Sequence, residues 1–267
     1  MSRELRRLLI EPPRLAAAEE LLKLEPAEQH YLERVLRYRS GDRLAVLDGV
    51  GHLWTAVLVE DGRLQLEQGT STPLQSESAA TPALELAMAV PKREADVVWR
   101  MATELGADRL QPLVARRSVR TGSPPRERWA AVLREAVEQC ERLWLPALRE
   151  PVEATGWLAA GPRDLGLLAT TRRGGLVSVA EALSARGRGA DPGGVAPTQL
   201  SLAIGPEGGW TEEEERVAEA AGWIPVSMGK SILRTATASV AGLAVLSAWR
   251  EISCREISSS SFPGPSP

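Results

Sequence analysis

Two short glycine-rich segments in the second half of the chain are the first candidates for chemistry. Gly205-Pro-Glu-Gly-Gly209 follows an apolar run that ends at Ile204, and Met228-Gly229-Lys230 follows another that ends near Ser227. Glycine lets a ligand approach backbone N–H and C=O groups closely, and open α/β sheets bind ligands beyond the carboxyl ends of their strands. The two segments therefore predict a ligand site on adjacent strand ends, although each one alone also suits a tight strand-to-helix turn.

Several common nucleotide and hydrolase motifs do not fit these segments. Gly229-Lys230-Ser231 would need a glycine at position 224 to form a phosphate-binding P-loop, and that residue is Ile224. GPEGG carries proline and glutamate where a dinucleotide-binding GxGxxG motif needs its helix-opening glycines. The chain has no GxSxG nucleophile elbow. The segments thus point away from P-loop, Rossmann and hydrolase chemistry.

Composition narrows the classes of function further. The net charge of -3 argues against a protein that coats nucleic acid by bulk charge, but it leaves room for a local basic patch. Cys140, Cys254, His30 and His52 lack metal-ligand spacing, so we expect no metal. We find no apolar run of the length that a signal peptide or membrane span needs, so we expect no membrane association and a cytoplasmic location.

The elements that must position the glycine segments alternate in type from Leu84 onward. Alternating strands and helices favour a mostly parallel sheet with helices on both faces. Upstream, Asp-Gly turns at Asp48–Gly49 and Asp61–Gly62 separate alternating runs, which predicts hairpins and a small β-barrel with a helix at His30–Tyr38. The predicted strands of the larger domain are 84–90, 109–115, 165–170, 199–204 and 224–227, and its predicted helices are 95–106, 126–144, 178–185, 211–222 and 235–250. Thr211, with Glu214 three residues later, predicts a capping box at the start of the helix 211–222.

The same segments resemble a known family. IGPEGGW with the following TEEE, and SMGKSILRTATA, resemble the two C-terminal motifs of the ribosomal RNA small subunit methyltransferase E family, a member of the SPOUT superfamily. HYLERVLRYRSGD resembles its N-terminal helix, PKREADVVWRMATELGADRLQPLVARRSV its middle motif, and RWAAVLREAVEQCERLWLP its long helix. The resemblance is collinear over residues 8–250.

The resemblance implies a fold and an activity. The larger domain would be an α/β SPOUT domain tied in a deep trefoil knot, which physical reasoning alone would not predict because knots are rare. The N-terminal β-barrel would be a PUA-like RNA-binding domain. We expect the PUA-like domain at 1–70, a linker at 71–82, the SPOUT domain at 83–252 and a disordered tail at 253–267. The enzyme would use S-adenosylmethionine to methylate N3 of one uridine in the 16S rRNA of the small ribosomal subunit.

The family also implies a homodimer with its active sites at the subunit interface. The alanine-rich helix after Thr235 is consistent with this, because it offers more apolar surface than one short sheet needs.

Arg234 is the catalytic candidate by its match to the family pattern. Methylation of N3 places negative charge on the flanking uracil oxygens, which a fixed arginine would stabilise; the alternative is a surface arginine at a helix start. The residues expected to contact S-adenosylmethionine are Thr170, Ile204, Gly205, Pro206, Glu207, Gly208, Gly209, Met228, Gly229, Ile232, Leu233, Arg234 and Thr235.

Basic residues near the first helix and at two strand ends are candidates for RNA contacts, although such charges are commonly a solvated face. Phosphate contacts would supply much of the affinity and make it salt-dependent. The candidates are Arg34, Arg37, Arg39, Lys92, Arg93, Arg116, Arg117 and Arg120.

Two departures from the family pattern keep other functions open. Ser231 stands where the family has arginine, and Ala236 where it has glutamate, as if a salt-bridged pair had been lost together. One alternative is a related SPOUT enzyme that acts on another RNA or atom, such as a ribose 2′-hydroxyl. Another is a catalytically weak RNA-binding factor of ribosome assembly.

Overall fold

The computed structural model describes residues 5–18, 21–119, 125–187 and 196–260. The chain divides into two compact units. The first comprises Met1–Ala79 with Leu133–Leu145, and the second comprises Ala80–Val132 with Pro146–Pro267.

The first unit is a β-sheet with short helices. Its sheet order is β1-β3-β4-β5-β2, with β6 on β4; β1 and β3 are parallel and the remaining pairs are antiparallel. A π-helical turn, Tyr31–Val35, continues α2. The elements are β1 (Arg7–Leu9), α1 (Pro12–Ala16), β2 (Leu21–Lys23), α2 (Pro26–His30), β3 (Arg43–Leu47), β4 (His52–Val59), β5 (Arg63–Leu66) and β6 (Gln75–Ser76).

Both predicted hairpins form in this unit, since β3 pairs with β4 and β4 with β5. Among the described strands no pairing joins β1 to β2, so hydrogen bonds do not close the predicted barrel. Residues 71–82, where we expected a linker, include β6, which pairs with His52 and Leu53. Val137 and Leu143 pack in a buried cluster with Leu47, so residues after Leu133 complete this core.

The second unit is an α/β domain. Its elements within the described residues, numbered on from the first unit, are β7 (Ala83–Ala89), α3 (Ala95–Glu104), β8 (Arg109–Val114), α4 (Arg126–Cys140), β9 (Ala147–Leu148), β10 (Val152–Glu153), α5 (Ala154–Ala159), β11 (Leu165–Ala169), β12 (Val177–Ser178), α6 (Val179–Gly187), β13 (Gln199–Ile204), α7 (Glu212–Ala220), β14 (Ile224–Ser227) and α8 (Thr235–Ser260). The second half of α4 falls in the first unit.

The sheet of the second unit is parallel throughout, in the order β10-β8-β7-β13-β11-β14-β12, with β9 on β8. Helices α5 and α7 pack together on one face, and α3 and α6 pack against α8 on the other. This confirms the predicted parallel sheet with helices on both faces. Our expectation that β13 and β14 are neighbours was wrong, because β11 lies between them and pairs with both. The trefoil knot stays a prediction.

Two helix ends differ from the sequence prediction. We expected α4 to reach Trp144, but it ends at Cys140 because Glu141 adopts a left-handed φ of 67°. Helix α8 continues to Ser260, into the stretch expected to be a tail, while 261–267 lie outside the described residues. Within the described part of the chain, none of the helices combines the length and apolarity that a membrane span requires.

Candidate functional site

Three parallel strands end at one cavity of about 480 Å³ in the second unit. The strands are β11, β13 and β14, with β11 in the middle. Pockets of a few hundred cubic ångströms are typical of small-molecule and cofactor sites. The lining comes from the three loops that follow these strands, from α7 and α8, and from Arg117.

The loop after β13 is held rigidly. Gly209 has a φ of 71°, a conformation that favours glycine, and its N–H donates to the carbonyl of Pro206 at 2.8 Å. A Cβ on Gly205 would lie 3.0 Å from the ring of Trp210. That indole donates to the carbonyl of Ala169, at the end of β11, over 3.0 Å. The glycine segment is thereby tied to the neighbouring strand.

A buried carboxylate joins this loop to the next helix. Glu214 is fully buried and accepts hydrogen bonds from the N–H and hydroxyl of Thr211, forming the predicted capping box. It also accepts from the N–H of Arg116 at 2.9 Å. The neighbouring Arg117 donates from its guanidinium to the carbonyls of Gly208 and Trp210. These bonds fix the β8 end against the GPEGG turn.

The loop after β14 lines the same cavity as the loop after β13. Gly229 has a φ of 116°, which disfavours any side chain, and its N–H donates to the hydroxyl of Ser227. Thr235, the first residue of α8, is buried and donates its hydroxyl to the carbonyl of Gly205 at 2.9 Å. The two glycine segments that the sequence singled out therefore line one cavity, and Thr235 bonds the end of the second loop to the first segment.

The loop after β11 adds charge to the cavity. The Thr170 hydroxyl donates to Glu215, and Arg173 pairs with Glu219 at 2.5 Å and with Glu215 at 3.4 Å. The hydrogen bond with Glu219 and the nearby carboxylates raise the pKa of the Arg173 guanidinium. Arg172, one residue earlier, is exposed and has a left-handed φ of 61°.

The structure brings together all the residues that we expected to contact the cofactor except Arg234. Arg234 is exposed and does not line the cavity. Sequence reasoning missed most of the loop after β11, although its Thr-Thr-Arg-Arg-Gly-Gly run at 170–175 was a visible signal. The lining residues beyond the expected set are Arg117, Ala169, Thr171, Arg172, Arg173, Leu176, Trp210, Glu212, Glu215, Ser227, Lys230, Ser231 and Ala238.

The expected RNA contacts fall in different places. Arg34, Arg37 and Arg39 are exposed in the first unit, and Lys92 and Arg93 are exposed after β7 of the second. Of the later candidates, Arg117 lines the cavity and Arg120 lies outside the described residues. The remaining candidate, the side chain of Arg116, is exposed and lies 3.8 Å from a carboxylate oxygen of Glu153.

Across the described ranges, no group of three or more histidine, cysteine or acidic side chains is placed to hold a metal ion.

Comparisons with known proteins agree with this architecture. A family model described as an RNA methyltransferase domain matches residues 78–247. A second model, described as an RNA methyltransferase PUA domain, matches residues 24–67. The first match covers all the strands of the second unit's sheet, and the second covers β3, β4 and β5 of the first unit.

Two relatives and one solved structure that are similar to this chain share the same protein name. The chain is 38% identical over 252 residues to ribosomal RNA small subunit methyltransferase E of Synechocystis, covering 92% of this chain and 78% of the relative. It is 31% identical over 222 residues to the protein of that name from Mycobacterium bovis, covering 81% and 82%. The crystal structure of the Neisseria gonorrhoeae protein of that name, bound to S-adenosylmethionine, matches with a TM-score of 0.73 and 25% identity, covering 92% of this chain and 98% of the other.

Proposed function

The chain belongs to the ribosomal RNA small subunit methyltransferase E family of RNA methyltransferases, and we propose that it transfers a methyl group from S-adenosylmethionine to N3 of one uridine in 16S rRNA. The observation that carries the proposal is the cavity at three strand ends that both glycine segments line. The substrate would be the small ribosomal subunit, in the cytoplasm.

The lining of the cavity suits this cofactor. S-adenosylmethionine combines a flat adenine ring with a cationic sulfonium, and it supplies an electrophilic methyl group when bound. Leu176, Met228 and Leu233 provide apolar surface for the ring, while Glu207 and Glu215 place negative charge in the same cavity. The backbone of 205–209 and 228–235 would hold the polar parts, since glycine permits close approach.

The chain's own contribution to the reaction is orientation and charge. Loss of the N3 proton leaves negative character on the flanking uracil oxygens, and a fixed guanidinium lowers the energy of that charge in a partly dehydrated cleft. Arg234 would take this role. The target base would leave its stack to reach the cavity, as base-modifying enzymes require.

The protein would act as a homodimer through α8. Most exposed residues of this helix recur at helical spacing and are apolar or uncharged, namely Thr237, Ala241, Val245, Ala248 and Ile252; the charged Glu251 is also exposed. Arg234 lies one turn before Thr237, in phase with this stripe. Because Arg234 does not line the cavity of its own chain, pairing through the stripe would present it to the partner's cavity. The active sites would then lie at the subunit interface.

The first unit would bind RNA as a PUA-like domain, with Arg34 and Arg37 among its contacts; Lys92, Arg93, Arg116 and Arg117 would contribute from the second. The deep trefoil knot of the SPOUT fold belongs to the same proposal.

The alternative of a weak enzyme is supported by Ser231, which is exposed, and Ala236, which is half-buried, since neither residue carries a charge. If a lost ion pair limits turnover, the double change Ser231→Arg with Ala236→Glu should raise it more than the two single changes together.

Labelled S-adenosylmethionine and small subunits that lack the methyl group test the proposal. We expect one labelled uridine, with the methyl on N3 by mass spectrometry of rRNA fragments. A methyl on a ribose 2′-hydroxyl would establish the related SPOUT activity instead. Cofactor binding without transfer would favour the assembly factor and overturn the proposal.

A further inference from the structure

Five residues other than glycine adopt a positive φ in the described part of the chain: Arg37, Asp61, Glu94, Glu141 and Arg172. Three have a local explanation: Arg37 follows the π-helical turn, Glu141 follows α4, and Asp61 forms a turn with Gly62 between β4 and β5. Glu94 is the N-cap of α3, a position where the backbone is usually extended, so capping does not explain its φ of 70°. Arg172 neither caps a helix nor turns a hairpin. It lies in the loop between β11 and β12, on the wall of the cavity.

The left-handed backbone of Arg172 is unusual because glycine would adopt this conformation without steric cost. The same loop uses Gly175 with a φ of 74° three residues later. Left-handed conformations of non-glycine residues at ligand sites are a known mark of function, since glycine would adopt them with less strain. An arginine at 172 therefore indicates that its side chain is needed there.

The two neighbouring arginines of this loop differ in their partners. Arg173 is held by Glu219 and Glu215, and Glu215 also accepts from Thr170. Among the described residues, Arg172 has no hydrogen bond from its guanidinium and no carboxylate within ion-pair distance. The loop is thus anchored by one arginine and presents the other, exposed, at the cavity.

We propose that Arg172 binds a phosphate of the RNA substrate at the mouth of the cavity and so positions the target nucleotide. A guanidinium suits this task because its planar fork can bind two phosphate oxygens at once. The inference rests on the proposed function, since it assigns this unpaired cation of the cavity wall to the RNA and not to the cofactor. Arg172 is therefore a positioning residue, distinct from the catalytic candidate Arg234.

The test compares Arg172→Gly with the parent enzyme on small subunits that lack the methyl group. Glycine removes the guanidinium and suits the left-handed backbone, so the melting temperature should stay level or rise. The KM for small subunits should rise about tenfold, as expected for loss of a charged hydrogen bond. The kcat at saturating subunits and the Kd for S-adenosylmethionine should not change. Arg172→Lys should restore part of the affinity.

Salt dependence separates a phosphate contact from a general charge effect. The slope of log affinity for the small subunit against log salt should fall by about one in Arg172→Gly. The matched control is Arg216→Gln, which makes the same change in charge at an exposed arginine that pairs with Glu213 on α7. An unchanged slope and KM in Arg172→Gly, or an equal effect of Arg216→Gln, would overturn the inference. Binding is measured without turnover, so failure of the proposed methyl transfer would be seen separately, in the parent enzyme.

Discussion

The two sides of the cavity differ in whether their polar groups have hydrogen-bond or ion-pair partners within the protein. One side is formed by residues 205–215 and Arg117, and we call it the fixed wall because several of its polar groups bond to other parts of the protein: Glu214 caps α7, Arg117 donates to two carbonyls, and Trp210 donates to Ala169. On the other, the open edge, Arg172 and Lys230 line the cavity and are exposed, and Arg234, between the lining residues Leu233 and Thr235, is exposed without lining the cavity itself. Within the described ranges these three cations have no ion pair.

The difference separates two tasks. Hydrogen bonds made before the ligand arrives fix the shape of a site and cost no reorganisation during the reaction. Cations without internal partners are available to a charged substrate, such as the phosphates of RNA. Damage to the fixed wall should therefore reduce stability, whereas damage to the open edge should reduce activity in a stable protein.

Arg234→Ala should give the largest effect. Loss of one electrostatic group that acts on the transition state typically costs about a hundredfold in rate, or about 2.7 kcal/mol. We expect that loss in single-turnover assays on small subunits, with stability and cofactor affinity nearly unchanged. Arg234→Lys should restore part of the rate, because a point charge does not reproduce the planar fork. If Arg234→Ala transfers the methyl group at the rate of the parent enzyme, Arg234 has a structural role and not a catalytic one.

Mixed dimers sharpen this prediction. One protomer carries Arg234→Ala, and the other carries a bulky residue that blocks its cavity. If Arg234 acts on the partner's cavity, the one intact cavity receives an intact arginine and the mixed dimer is active. If Arg234 acts within its own chain, both sites of the mixed dimer are inactive. Light scattering checks that the mixed species is a dimer.

Glu214→Ala tests the fixed wall. The change leaves the N–H and hydroxyl of Thr211 and the N–H of Arg116 without their acceptor in a buried place, so we expect a loss of about 2 kcal/mol in the free energy of unfolding. Denaturant titration measures this loss. Glu181 forms a similar capping box with Ser178 on the surface, and Glu181→Ala should cost clearly less. Equal losses would mean that burial of Glu214 adds nothing.

Ala238→Leu places a larger side chain in the cavity from α8, where Ala238 is buried and lines the wall. We expect the affinity for S-adenosylmethionine to fall about tenfold, equivalent to about 1.4 kcal/mol. Ala220→Leu, at an exposed position near the end of α7, is the control for the change itself. This variant is cleaner than Gly208→Val, because a Cβ at 208 would lie 3.1 Å from the Cβ of Arg117 and disturb the fixed wall. If calorimetry finds that folded Ala238→Leu binds S-adenosylmethionine as tightly as the parent protein, the cofactor does not occupy this cavity.

Sequence patterns predicted what is local in this cavity. The apolar runs at 165–170, 199–204 and 224–227 became strands, and Thr211 with Glu214 became a cap, because burial and capping act within a few residues. The insertion of β11 between β13 and β14 was not predictable from spacing, since strand order depends on distant pairings. That order is what brings the loop at 170–176 into the cavity. For Arg234 the sequence left both a catalytic and a surface position open, because a motif records residue type and not side-chain direction.

Trp210→Phe should give the smallest effect and still separate stability from binding. The indole is nearly buried and donates to the carbonyl of Ala169, while its ring covers Gly205. Phenylalanine keeps most of the apolar contact but leaves that carbonyl without its donor, so we expect a loss of about 1 kcal/mol in the free energy of unfolding.

Trp223 is the matched control: it is buried in the same cluster, and its indole donates to the carbonyl of Leu158 at 3.1 Å, away from the cavity. Trp223→Phe should cost about the same stability. Only Trp210→Phe should weaken binding of S-adenosylmethionine, because it loosens the joint between β11 and the glycine turn. If both variants bind the cofactor as the parent does, the indole of Trp210 contributes only stability, and the fixed wall is not what shapes the cofactor site.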